Sequence, residues 1–164
     1  MEHVTLKATT TDTEQELGTF TAVVSAWEAD REGDTIAKTA FDETIRAWRT
    51  AGKNLPLLFE HSTTVVGAID PFSMTPTEQG LVVAGEVDRE SDEGAQVWKT
   101  IKAGTAGFSI GFLSESKPRK GGGREITEID LLEISATATP AHPATRTLSW
   151  KARPPVVVAR FEVD

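Results

Sequence analysis

The sequence contains no cysteine. This absence excludes a disulfide framework and a catalytic thiolate, and it fits a reducing compartment. Histidine is also scarce: the chain has three, and none falls in a His-Glu-x-x-His spacing. We therefore predict neither a metal site nor a cofactor.

Long apolar runs and an excess of basic residues are missing as well. No run approaches the roughly 18–20 apolar residues of a membrane span, and the start Met1-Glu2-His3 lacks the features of an export signal. We expect a soluble, intracellular protein. The formal net charge is -8, and charge of this sign repels phosphate backbones and anionic lipids, so we expect no nucleic acid or membrane partner. The basic, glycine-rich segment 117–124 predicts a solvated flexible loop.

A chain of 164 residues predicts one domain, which we place at residues 1–151, followed by a tail at residues 152–164. Helical periodicity predicts one helix that starts at a capping box of Thr39 and Asp42 and ends at Gly52. It predicts a second helix from about Ser91 to Gly104. Strand patterns cover residues 20–27, 55–61, 65–69, 81–87, 108–113, 126–138 and 147–150. The pattern indicates a β-rich α+β fold, a mostly antiparallel, closed or strongly curved β-barrel with two or more surrounding helices.

Three of the apolar runs each contain one side chain that can transfer or hold protons. His61 ends the run that starts at Leu55, Ser109 lies in Gly-Phe-Ser-Ile-Gly-Phe, and Glu133 lies in Leu-Leu-Glu-Ile-Ser. A buried polar group without a partner costs roughly 1–3 kcal/mol, and these three side chains can satisfy one another. Together they are a base, a nucleophile and an orienting carboxylate, the set that acyl transfer requires.

Each of the three residues also has a plainer interpretation, as a structural serine, a core histidine or an outward-facing glutamate. Gly107 and Gly111 favour the catalytic interpretation, because glycines on both sides of Ser109 leave room for a substrate backbone.

A rival catalytic hypothesis starts from the same glycines. The residues from Gly107 to Gly111 also match the G-x-S-x-G motif of α/β-hydrolases, in which Ser109, Glu133 and His142 would form an esterase triad. That motif needs a helix directly after the serine, whereas residues 110–113 continue a strand pattern, and it leaves His61 without a role.

With these motifs in this order, the chain resembles the prohead maturation proteases of tailed bacteriophages, which are similar in fold to the herpesvirus assemblins. The likeness spans about residues 19–150. It is carried by Trp27 to Asp34 with Ala40-Phe41, Leu57-Leu-Phe-Glu-His61, the helix from Val97 to Gly104 that leads into Gly107-Phe-Ser-Ile-Gly-Phe112, and Asp130-Leu-Leu-Glu-Ile-Ser135 with Thr139-Pro-Ala141.

The resemblance implies a serine endopeptidase with His61 as general base, Ser109 as nucleophile and Glu133 in the third position. The residues alone leave His142 open as an alternative to Glu133 for the orienting group. It implies an oxyanion donor in the loop from Ala141 to Arg146, with Arg146 as the matching candidate. The implied substrates are scaffold and capsid protein segments inside an immature capsid, in the cytoplasm of the bacterial host, with the protease encoded by a phage or by a prophage. It further implies self-cleavage, for which the tail is a candidate site, and a homodimer or higher homo-oligomer. The alternative from another class is a non-catalytic capsid-assembly module of the same fold.

Overall fold

A computed structural model describes residues 8–10, 17–152 and 159–161 of the chain, with side chains for residues 17–152. The strands of the described residues are, in chain order, β1 (Ala8–Thr10), β2 (Leu17–Ser25), β3 (Thr35–Ile36), β4 (Leu55–Phe59), β5 (Val65–Ile69), β6 (Thr75–Thr77), β7 (Gly80–Asp88), β8 (Gly107–Pro118), β9 (Arg124–Thr137), β10 (Arg146–Ala152) and β11 (Ala159–Phe161). The α-helices are α1 (Asp42–Ala51) and α2 (Asp92–Ala103). Most of the predicted tail lies outside the described residues.

Nine of these strands form one mixed sheet, in the order β10-β2-β7-β5-β4-β9-β3, with β6 beside β7 and β8 beside β9. The strands β3 and β4 run parallel to β9, and the other described pairings are antiparallel. β1 and β11 form a separate antiparallel pair. The predicted β-rich α+β fold with two helices is therefore confirmed.

The predicted closure of the sheet into a barrel is wrong. Within the described part of the chain, no backbone ladder joins β8 to β2 or β10 at the opposite end of the sheet. Phe20 of β2 instead stacks on Phe108 of β8, with ring centroids 5.7 Å apart. Paired strands lie about 4.7–4.9 Å apart, so two strands that meet through aromatic rings are held beyond pairing distance. β8 therefore meets β2 through side chains, and a cavity lies between the two strands.

The two helices begin differently from each other. The predicted capping box of Thr39 is wrong, since α1 begins after Phe41 without a side-chain cap. A side chain within the helix fixes the position of α1 instead: Trp48 Nε1 donates to the backbone oxygen of Leu131 at 2.8 Å. α2 begins as predicted, with Ser91 Oγ accepting from the Gly94 N–H at 3.1 Å.

The helix ends follow the sequence prediction. Gly52 and Gly104 both follow their helices with left-handed backbones, φ 65 and 72. Among the residues that the structure describes, no helix is long and apolar enough to cross a membrane.

The basic segment 117–124 is a β-hairpin turn rather than a free loop. β8 continues to Pro118 and β9 starts at Arg124, and all three glycines between them have positive φ. The turn is anchored because the Arg119 guanidinium donates to the backbone oxygen of Gly33.

Candidate active site

The opening between β2 and β8 contains a cavity of about 230 Å³ that has both His61 and Ser109 in its wall. Its apolar wall comes mainly from β8, with further apolar residues from β2, β3 and the start of β9, and its rim is polar. Apart from those two residues, the lining residues are Val24, Ser25, Ala26, Glu28, Asp30, Asp34, Ile36, Phe108, Ile110, Phe112, Ile126, Thr139, Ala141, His142 and Thr145. The Ser109 hydroxyl and two imidazoles therefore lie at one cavity.

Ser109 is positioned by the long antiparallel ladder between β8 and β9. It lies opposite Ser135 in that ladder and is 6% exposed. Its Oγ accepts a hydrogen bond from the backbone N–H of Ala141 at 3.1 Å. A nearly buried hydroxyl at a cavity wall, with a backbone N–H beside it, combines a candidate nucleophile and a candidate donor for the negative charge of an acyl-transfer intermediate.

His61 lies in a turn directly after β4 rather than at the end of the predicted strand. β4 stops at Phe59, and Glu60 and His61 both have positive φ, 49 and 59. The Ser62 N–H donates to the Phe59 oxygen at 2.9 Å, which closes a four-residue turn. We call residues 59–62 the histidine turn. Because β4 pairs in parallel with residues 134–136 of β9, this turn lies beside the end of β9 and holds the imidazole at the cavity.

Glu133 lies on the same strand face as Ser135 but not in the cavity wall. Its Oε2 accepts a hydrogen bond from Ser135 Oγ at 2.9 Å. In the described residues, no hydrogen bond joins Glu133 to His61. The structure thus brings His61 and Ser109 to one cavity and puts the carboxylate behind Ser135, one strand away from the serine.

The two glycines beside Ser109 are occupied by protein rather than open to a substrate. A side chain at Gly107 would meet Pro140 Cγ at 2.6 Å, and one at Gly111 would meet Glu133 Cγ at 2.7 Å. The Glu133 side chain therefore lies across Gly111, and Pro140 packs on Gly107. The absence of side chains at these positions lets the carboxylate and the loop after β9 approach β8.

The loop from Ala141 to Arg146 covers Ser109, but Arg146 itself does not line the cavity. The Arg146 guanidinium donates to the backbone oxygen of Ala144 at 2.9 Å, so it supports the loop from outside. The loop group in contact with the serine hydroxyl is the N–H of Ala141.

His142 faces its own loop. Its Nδ1 accepts from the Ala144 N–H at 3.0 Å, and in the described part of the chain its buried Nε2 has no hydrogen-bond partner. A nitrogen that accepts carries no proton, so the neutral ring has its proton on Nε2 and is a donor there.

The strand that contains Ser109 argues against the esterase triad. β8 runs through Ser109 to Pro118, so no helix follows the serine.

An ion pair forms one side of the cavity rim. Asp34, only 8% exposed, accepts from Arg124 twice, from its backbone N–H and from its guanidinium, each at 3.0 Å. The guanidinium hydrogen bond is the main reason why the pKa of Asp34 lies below its ordinary value of 3.8. The pair joins the loop before β3 to the start of β9.

Among the described residues, no cluster of three or more His, Asp or Glu side chains is arranged to hold a metal ion.

Two groups of the site, the Ser135 hydroxyl and the Ala141 N–H, were not predicted from the sequence. Ser135 shares the strand face of Glu133 two residues away, and alternation alone identifies it as a candidate partner. Ala141 acts through its backbone, so its side chain carries no signal.

The sequence model of the caudovirus prohead serine proteases matches residues 3–153 of the chain. No protein of curated function matches it. The matched range includes every residue that lines the cavity.

Proposed function

Since the chain belongs to the caudovirus prohead serine protease family, we propose that it is the endopeptidase that cleaves scaffold and major capsid protein segments inside the immature capsid. The family supports a serine peptidase of capsid maturation in general. The observation that carries the assignment to this cavity is that His61 and Ser109 both line it while the Ala141 N–H contacts Ser109 Oγ.

In the proposed reaction, Ser109 Oγ attacks the carbonyl carbon of a substrate peptide while His61 accepts the hydroxyl proton. The tetrahedral intermediate then collapses, the peptide C–N bond breaks, and His61 returns the proton to the leaving amine. Water attacks the acyl-enzyme with His61 again as the base, which releases the acid product and restores the hydroxyl.

We assign the stabilisation of the oxyanion to the backbone N–H of Ala141. In the part of the chain that the structure describes, this donor binds the serine hydroxyl, at 3.1 Å. Once Oγ is bonded to the substrate carbon, the carbonyl oxygen carries negative charge within reach of the same N–H. Arg146 contributes through the loop, because its hydrogen bond to Ala144 restrains the chain that presents Ala141.

Glu133 keeps its proposed role as the third group, acting on the site through Ser135. The carboxylate holds the Ser135 hydroxyl, which lies opposite the nucleophile in the β8–β9 ladder.

The test is incubation of purified protein with a scaffold–capsid fusion of the phage, followed by intact-mass measurement of all products. Wild type is expected to cut the fusion, and Ser109→Ala is expected to leave it intact. Ser114→Ala is the matched control, because Ser114 lies on the same strand but is exposed. A wild-type protein that binds the fusion without cutting it would instead support the non-catalytic assembly module.

Two further parts of the proposal use the same sample. We propose that the protease also cuts its own tail, which the intact mass of the stored wild-type protein measures against Ser109→Ala. We propose a homodimer or higher homo-oligomer, which light scattering measures as a molar mass above that of one 17.7 kDa chain.

A further inference from the structure

We infer that Glu60 is a positioning residue, which holds the histidine turn and the loop that carries the Ala141 N–H in one arrangement. The inference rests on the proposed function, because it gives Glu60 a role in the reaction of Ser109. Glu60 does not line the cavity, so it acts through other groups.

Glu60 makes three hydrogen bonds to three successive residues at the end of β9. Its backbone N–H donates to the oxygen of Ala136 at 2.9 Å. Its Oε2 accepts from Thr137 Oγ1 at 2.9 Å, and its Oε1 accepts from the Ala138 N–H at 2.8 Å. Hydrogen bonds to an ionised carboxylate are stronger than neutral ones, so one side chain ties the histidine turn to the next strand.

The backbone of the histidine turn indicates that these contacts are needed. Its two central residues, Glu60 and His61, both have positive φ, and the Ser62 N–H bonds to the Phe59 oxygen. This is the geometry of a type I′ turn, for which Asn-Gly, Asp-Gly and Gly-Gly are the favoured pairs. Glu and His are unfavourable at both positions, and such conformations persist where the surrounding contacts enforce them. Here the Glu60 carboxylate supplies those contacts.

The same carboxylate reaches the loop over Ser109 through Thr137. The Thr137 hydroxyl that donates to Glu60 also accepts from the Thr139 N–H at 3.0 Å. Thr139 lines the cavity, and two residues later the Ala141 N–H meets the serine hydroxyl. Glu60 therefore connects the element that carries the proposed base to the segment that carries the proposed oxyanion donor.

A matched pair of variants distinguishes the effect of the turn conformation from the effect of the carboxylate hydrogen bonds. Glu60→Asn introduces a residue that type I′ turns favour, but its side chain is one methylene too short to keep both contacts. Glu60→Gln keeps the length and supplies an acceptor for Ala138 and a donor for Thr137. Glu78→Gln, at an exposed glutamate of the turn between β6 and β7, controls for the loss of one negative charge.

The readouts are kcat and KM measured separately, with the fraction of folded protein determined for each variant. We expect Glu60→Asn to be folded, to keep its KM and to lose roughly 10- to 100-fold in kcat, the cost of a misplaced catalytic group. We expect Glu60→Gln and Glu78→Gln to behave like wild type. A kcat of Glu60→Asn equal to that of wild type, or a loss that Glu60→Gln fails to rescue, would overturn the inference.

A second measurement does not depend on activity. The ring C–H signals of His61 in a ¹H–¹³C spectrum report its surroundings, and we expect them to shift in Glu60→Asn and to stay in place in Glu60→Gln. Unchanged signals in both variants would overturn the inference. If wild type itself fails to cleave, the proposed function fails, while the spectra still decide whether Glu60 positions His61.

Discussion

Ser135 lies directly opposite Ser109 in the antiparallel ladder of β8 and β9, and its hydroxyl donates to the carboxylate of Glu133. Residues that face each other in such a ladder have Cβ atoms about 4.5–5.5 Å apart. The glutamate is therefore linked, through a second serine, to the strand that contains Ser109.

Ser135→Ala tests this link. The substitution removes the donor to a half-buried carboxylate, so we expect the free energy of unfolding to fall by about 1–3 kcal/mol. We also expect kcat to fall by roughly 10- to 100-fold, because Glu133 loses its fixed position. Urea unfolding and cleavage assays measure the two effects. Ser116→Ala, at an exposed position of β8, is the control, and a Ser135→Ala protein with wild-type kcat would contradict the linkage.

Gly111→Ala tests the role of Glu133 from the opposite strand. The added methyl group would meet Glu133 Cγ at 2.7 Å and Cδ at 2.8 Å, so the side chain has to move. Because that side chain is flexible, we expect a small loss of stability and a clear loss of kcat. The loss should vanish in a Glu133→Ala background, since contacting residues are not additive. Equal losses of kcat in both backgrounds would show that Gly111 acts by another route.

His142 and His61 are predicted to respond differently to asparagine. His142→Asn retains an acceptor for the Ala144 N–H, so we expect the loop to keep its shape and the cleavage rate to stay close to that of wild type. His61→Asn removes the proposed base, so we expect cleavage to be lost. The reverse pattern would favour the esterase-like arrangement of Ser109, Glu133 and His142.

The ion pair of Asp34 and Arg124 predicts a pH dependence of stability. The pKa of Asp34 is lowered in the folded protein, so its contribution is fully present above its ordinary value of 3.8. The contribution is lost as the pH falls from there through the lower folded pKa. In urea unfolding, the difference between wild type and Asp34→Asn should be largest near neutral pH and shrink below about pH 4. A difference that grows with acidity would contradict the assignment.

Periodicity and turn residues were sufficient to predict most of the fold. The second helix begins at Ser91 and ends before Gly104 as predicted, because both signals are local. The capping box at Thr39 was wrong, since α1 is held by long-range hydrogen bonds of Trp48 and Thr44 to Leu131. Closure of the sheet depends on how Phe20 and Phe108 meet, which no local pattern encodes.

The sequence predicted which residues belong to the candidate site better than it predicted how they are arranged. The apolar runs around His61 and Ser109 identified two side chains that share a cavity. They did not predict that His61 lies in a type I′ turn, because Glu-His is an unfavourable pair there and only the contacts of Glu60 explain it. Nor did they predict that Glu133 binds Ser135, because strand alternation gives the face of a residue but not its partner.

The most direct test of the account is labelling with a fluorophosphonate, followed by peptide mass spectrometry. An activated serine displaces fluoride from phosphorus and forms an O–P bond, so the reagent reports the nucleophile itself without a chosen substrate. We predict one adduct in the wild-type protein, on Ser109, and its loss in His61→Asn, with Ser114→Ala labelled like wild type. A wild-type protein that stays unlabelled at Ser109, or labelling of Ser109 that persists without His61, would contradict the account.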